Sequence, residues 1–171
     1  NIIQLRDKNG SAKEILNFSR HVLKLTKNRV PYIVNDRVDV AKASLAWGVH
    51  LGQEDIPVAM ARKMLGPKAL IGVSSQTYTH ALKAQRDGAD YIGFGSIFKT
   101  LTKPERRPID IGLLRRVMDN IRMPVFAIGG IHLRNIAQLK AVGVRRIAVC
   151  RAVCQAKNVG KAVEQFLETI K

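Results

Sequence analysis

Acidic side chains are scarce in this sequence: 13 Asp and Glu stand against 29 Lys and Arg, a formal net charge of +16 over 171 residues. Such an excess attracts anionic partners, whether nucleic acid, an acidic membrane surface or small phosphorylated substrates. Aromatic residues are also few, at 5%. The cations are scattered over most segments and lack the stacking partners that accompany basic stripes, so nucleic acid is not expected as a partner. One tighter group, Lys99, Lys103, Arg106 and Arg107, falls in a polar loop. There are two cysteines, Cys150 and Cys154. Their spacing could make half a metal site, but no His or Cys at ligand spacing completes it. They read instead as small hydrophobes at a strand end and in the next turn, both reduced. No apolar run approaches the roughly 18 residues that cross a bilayer, and no signal peptide opens the chain. A cytoplasmic protein with no membrane partner is expected. The sequence starts at Asn1, with no initiator Met, and turns apolar at once, so something N-terminal is expected to be missing.

What is present is 46% hydrophobic residues, enough for one sizeable core. Short β-branched runs alternate with longer amphipathic stretches. Strands are predicted at 2–5, 31–34, 48–50, 69–73, 91–94, 125–128 and 146–149. Ser11 with Glu14 three residues on predicts a capping box at the first helix, where Ile15, Phe18, Val22 and Leu25 follow at helical spacing. Further helices are predicted through Val38–Leu45 and over 58–65, 78–86, 111–121, 133–142 and 159–170. Strand–helix alternation with short connections makes a parallel sheet covered by helices. Seven βα units with no linker between them suit either an open doubly wound sheet or a TIM-type (β/α)8 barrel. The expectation is the barrel, one domain over 1–171 with its first βα unit missing, since a barrel usually needs about 200 residues or more.

In a barrel the chemistry lies in the loops that follow the strands. Those loops supply Arg6 and Lys8, Asn35 and Asp36, His50 and Asp55, Ser74 and Ser75, Thr100, Thr102 and Lys103, Gly129-Gly130, and Cys150-Arg151. Asp36 and Asp55 come from adjacent strand ends. Two carboxylates together with a phosphorylated substrate are the usual way to hold Mg²⁺. Each Asp has a blander reading as a helix N-cap, where a carboxylate is favourable anyway. Gly129-Gly130 suits close approach of backbone N–H groups to a phosphate, or simply a left-handed turn. Thr100, Thr102 and Lys103 offer hydroxyl and ammonium donors to another phosphate, or a solvated loop.

Strings at these positions are IQLRDK at 3–8, VNDRVDVA at 34–41, GVHLGQEDIP at 48–57 and IGVSSQT at 71–77. GADYIGFGSIFKTLTK at 88–103, AIGGI at 127–131 and IAVCRAV at 147–153 follow. Together they resemble the thiamine phosphate synthase family over nearly the whole chain. The resemblance implies a transferase that joins hydroxymethylpyrimidine pyrophosphate to thiazole phosphate and releases pyrophosphate. It implies that Gln4 contacts the pyrimidine. Arg6, Lys8, Asn35, Ser74 and Lys103 would hold the pyrophosphate, with Mg²⁺ as cofactor on Asp36 and Asp55. Thr100, Thr102, Gly130 and the backbone at Cys150-Arg151 would hold the thiazole and its phosphate. His50 is placed with the substrate-binding residues. Two departures stand out: Arg151 occupies a position where the family usually has a small hydroxyl residue, and Lys99 one that is commonly apolar or Pro. A rival reading is the TenI-like branch of thiazole tautomerases and regulators. That branch typically lacks the Gln53-Glu54-Asp55 and Thr100–Lys103 features. A non-catalytic paralogue that binds thiamine phosphates is a further alternative. Homo-oligomerisation is common among soluble enzymes, but no exposed stripe in the sequence identifies an interface.

Overall fold

The computed structural model describes residues 1–170. Strand and helix alternate as β1 (Ile3–Leu5), α1 (Ala12–Leu25), β2 (Tyr32–Asn35), α2 (Val38–Ser44), β3 (Gly48–Leu51), α3 (Val58–Leu65), β4 (Leu70–Ser75) and α4 (Tyr78–Arg86). They continue as β5 (Tyr91–Phe94), α5 (Ile111–Asn120), β6 (Val125–Ile128), α6 (Ile136–Ala141), β7 (Ile147–Ala148), α7 (Arg151–Cys154) and α8 (Val159–Ile170). Packing groups them into two compact units, Asn1–Ser74 with Arg86–Asp90, and Ser75–Gln85 with Tyr91 onward.

In the first unit β1 to β4 run parallel and in chain order, with Gln4 opposite Ile33, Asn35 opposite His50 and His50 opposite Gly72. Directly paired residues share a face, and faces alternate along each strand. One face therefore carries Val34, Val49, Ile71 and Val73, all buried. The other carries Gln4, Asn35, His50 and Ser74. Gly48 lets β3 close on β4, since a Cβ there would lie 1.7 Å from the Leu70 carbonyl oxygen.

The helices cover the apolar face for local reasons. Ser11 caps α1, accepting from the Glu14 N–H, and the Glu14 carboxylate accepts from the Ser11 N–H. The predicted capping box forms. Tyr32 is fully buried, so its phenol must find a partner. It donates to Ser19 Oγ at 3.0 Å, and Ser19 donates to the Ile15 carbonyl at 2.7 Å, which ties β2 to α1. Arg62 of α3 ties the next layer: its guanidinium donates to the carbonyls of Ala69 and Gly88 and to Asp90, whose carboxylate also accepts from the Ile71 N–H.

In the second unit β5, β6 and β7 are again parallel and in chain order, with Phe94 opposite Ala127 and Ala127 opposite Ile147. Ile92, Phe94, Leu114, Val117, Ala127, Ile136, Leu139 and Phe166 form its core. Tyr91 meets Phe126 edge-on at 5.5 Å between centroids.

Three details depart from expectation. α6 begins at Ile136, not Leu133, because Asn135 spends its amide on the preceding turn, donating to the Gly130 carbonyl and accepting from the His132 N–H. Such side-chain bonds compete with helix. β7 is only two residues long, and the one-turn helix α7 follows it. Cys150 and Cys154 are both exposed, at the start and end of α7, so neither packs as a small hydrophobe. No described helix is long and apolar enough to cross a membrane.

Candidate active site

Each unit carries one cluster of predicted site residues at the C-terminal ends of its strands. In the first unit the register already described sets Gln4, Asn35, His50 and Ser74 on one face of β1–β4. His50 is buried, and its Nε2 lies 3.0 Å from Ser74 Oγ. Gln53, in the loop after β3, donates from Nε2 to the Ser74 carbonyl at 2.6 Å. Ser74 is thus held at both its hydroxyl and its backbone. Arg6 and Lys8 follow β1 and are exposed. Between them Asp7 closes a turn by accepting from the Asn9 and Gly10 N–H groups, each at 2.9 Å.

Asp36 is where the chain leaves β2. Its φ of +63° is left-handed, a region that Asp tolerates better than most residues. Its N–H donates to the His50 carbonyl at 2.8 Å, and the next N–H, of Arg37, returns to Asn35 at 2.7 Å. Burial raises the Asp36 pKa above the ordinary carboxylate value. The charge of Asp55 and a hydrogen bond shared with it raise it further, while Lys8 and Arg6 pull it down. Asp55 itself accepts from the Gly52 N–H at 2.5 Å. Neither carboxylate caps a helix: Arg37 and Pro57 occupy the N-cap positions of α2 and α3, without side-chain bonds. The bland reading of the two Asp residues therefore fails. Arg37 is spoken for by Asp39, to which its fork donates twice.

Asp36 and Asp55 lie close enough for the charge of one to disfavour ionisation of the other, with Arg6 and Lys8 opposing that effect. A divalent cation with oxygen preference fits that donor set. Among the described residues no group of three or more His, Cys, Asp or Glu is placed to hold a metal, so a cation here would rest on this pair.

In the second unit the loop after β5 carries Thr100, Thr102 and Lys103. Its neck is closed by Ile109 N–H donating to the Ser96 carbonyl at 2.8 Å. Thr100 Oγ1 accepts from the Thr102 N–H at 3.2 Å, and the Lys103 carbonyl accepts from the Arg106 N–H at 3.1 Å. Gly129 and Gly130 both have positive φ, 103° and 63°. A Cβ on Gly129 would strike Ser96, and one on Gly130 the Lys99 carbonyl oxygen. Close packing on the 96–99 segment therefore accounts for both glycines without a ligand. Cys150 opens α7, its carbonyl accepting from the Val153 and Cys154 N–H groups, and Arg151 is exposed. A separate depression of about 520 Å³, lined by Arg115, Met118, Lys140 and Gly143 among others, lies where α5 and α6 end, away from these loops.

Two long-range side-chain contacts are not legible in the sequence. Gln53 was noted only as part of a string; nothing in spacing shows that it reaches the backbone of the next strand. Gln76 and Arg106 meet across 30 positions of sequence, with no local signal.

Known proteins sharpen this picture. Residues 1–153 match the thiamine monophosphate synthase family. A thiamine-phosphate synthase of Clostridium tetani is 41% identical over 96% of this chain and 79% of its own length. One of Chloroflexus aurantiacus is 45% identical over 96% of this chain and 77% of its own. Among solved structures, the thiamine phosphate pyrophosphorylase of Pyrococcus furiosus superposes with a TM-score of 0.90 at 38% identity, covering 99% of this chain and 82% of that one. A 3-hexulose-6-phosphate synthase at 16% identity and TM-score 0.72 shares the fold alone. Fold and matches together define an α/β enzyme of the TIM-type barrel class, a transferase. The chain belongs to the thiamine monophosphate synthase family.

Proposed function

We propose that this enzyme joins hydroxymethylpyrimidine pyrophosphate to thiazole phosphate, giving thiamine phosphate and pyrophosphate. The observation that carries the reading is the first unit's polar face. Gln4, Asn35, His50 and Ser74 share it, next to the Asp36–Asp55 pair, in a chain about 41% identical to synthases along nearly its whole length.

The pyrimidine's methylene–oxygen bond ionises, and the ring-stabilised cation is captured by the thiazole nitrogen. Charge grows on the departing pyrophosphate as the bond breaks. Groups that bind it more tightly then than before lower the barrier. Arg6, Lys8 and Lys103 supply fixed positive charge for it, and Asn35 and Ser74 supply neutral hydrogen bonds. Ser74 serves best if its hydroxyl is aimed, which the His50 and Gln53 contacts support. Gln4 contacts the pyrimidine. Thr100, Thr102, Gly130 and the Cys150-Arg151 backbone hold the thiazole and its phosphate. Asp36 and Asp55 would hold Mg²⁺, which would supply further positive charge to the departing pyrophosphate. No strong general base is needed.

The test is product formation. Both substrates and Mg²⁺ should give a species with the mass of thiamine phosphate, and omission of either substrate should abolish it. Binding of thiazole phosphate or its carboxylated tautomer without product would favour a TenI-like role and overturn this reading.

A further inference from the structure

Arg106 belongs to the loop cluster of cations, yet it is not presented to solvent like a free phosphate ligand. Its side chain is half-buried. With the Gln76 amide oxygen facing the guanidinium, which is the orientation that pairs acceptor with donors, that oxygen accepts from Nη1 at 2.9 Å and from Nε at 3.1 Å. Gln76 is a firm anchor. It directly follows β4: the Ser75 carbonyl accepts from the Gly95 N–H at 3.1 Å, and Thr77 Oγ1 accepts from the His80 N–H at the start of α4. At the other end Arg106 closes a turn on the Lys103 carbonyl.

We propose that Gln76 and Arg106 form a latch that positions the 99–107 loop, and with it Lys103, Thr100 and Thr102, for the transfer reaction. The inference rests on the synthase reading. Arg106 acts here as a positioning residue and not as a phosphate ligand. Hydrogen bonds from an ionised donor are the stronger ones, and a guanidinium forked onto one oxygen fixes direction as well as distance.

Loss of the latch leaves the cations present but loosely placed, and misplacement of about 1 Å can cost roughly 10²-fold in rate. The test compares Gln76→Leu, Gln76→Glu, Arg106→Leu and the double variant Gln76→Leu/Arg106→Leu in the full chain. Gln76→Leu and Arg106→Leu should each lower kcat/KM for pyrophosphate release by roughly 10- to 100-fold, with the thermal midpoint unchanged. The double variant should be no worse than either single one, since both break the same contact. Gln76→Glu accepts the same fork and should restore activity. Trypsin should nick the loop after Lys99 or Arg106, the two basic residues there not followed by proline, several-fold faster in Gln76→Leu than in the native chain. Native-like turnover and nicking in Gln76→Leu overturn the latch. So does a Gln76→Glu variant as impaired as Gln76→Leu, which would make the charge of Arg106 and not its placement the active property. If the native chain itself releases no pyrophosphate, the synthase reading fails, and equal nicking of native and Gln76→Leu chains then rejects the latch independently.

Discussion

Asp36 keeps its proton to higher pH in the folded chain than an ordinary carboxylate does, through burial first and then Asp55. In that window, from the ordinary carboxylate range up to the raised value, the folded state binds more protons than the unfolded state. Stability therefore falls as pH rises through it, and the penalty disappears below the unfolded pKa, where both states are protonated. Asp55→Asn removes the repelling charge while its side-chain oxygen still accepts from the Gly52 N–H. Without Mg²⁺ this variant should melt higher than the native chain at neutral pH and show a shallower pH slope. It should also lose any stabilisation by Mg²⁺. A thermal melt series with and without the cation checks both, and an Asp55→Asn variant that Mg²⁺ still stabilises would remove the pair from the metal assignment. Lys8 tests the other charge. Lys8→Ala should slow turnover by roughly 10²-fold, the scale for removing a preorganised charge stabiliser. An unchanged steady-state rate would take Lys8 out of the machinery.

The elements were largely legible because their signals are local. Ser11 and Glu14 predict the start of α1 from chemistry that needs only four residues, and the capping box is there. Ser11→Ala should cost about 1 kcal/mol in a urea titration; no loss would mean that α1 takes its stability from packing alone. β5, β6, α3, α4 and α8 fall on the predicted residues. The misses also have local causes. Asn135 reads as an ordinary helix residue until its amide is seen holding the turn at Gly130 and His132. The short α7 follows a β-branched run that the alternation extends too far. Spacing could not decide whether Asp36 and Asp55 cap helices, because an N-cap is a matter of backbone angle, and Asp36 takes a left-handed one. Nor could it reveal that Gly129 and Gly130 are forced by the 96–99 segment, a contact distant in sequence. Side chains that act across tens of residues, Gln53 on Ser74 and Arg106 on Gln76, lie beyond any periodicity.

For the whole molecule, fold and function part company. An enzyme at 16% identity shares this architecture with a TM-score of 0.72, so the barrel class alone assigns no reaction. What assigns the family is the match of residues 1–153 to its model, with relatives 41% and 45% identical over 96% of the chain. The excess of +16 then gains a partial meaning. The proposed reaction assigns Arg6, Lys8 and Lys103 to an anionic substrate, while Arg62 and Arg106 hold structure. The most direct test of the account is pyrophosphate release by the full chain given both substrates, with Mg²⁺ and with the cation chelated. The account predicts release that needs both substrates and falls sharply on chelation. Release from the pyrimidine pyrophosphate alone at the same rate, or no release with both substrates and Mg²⁺ present, would contradict it.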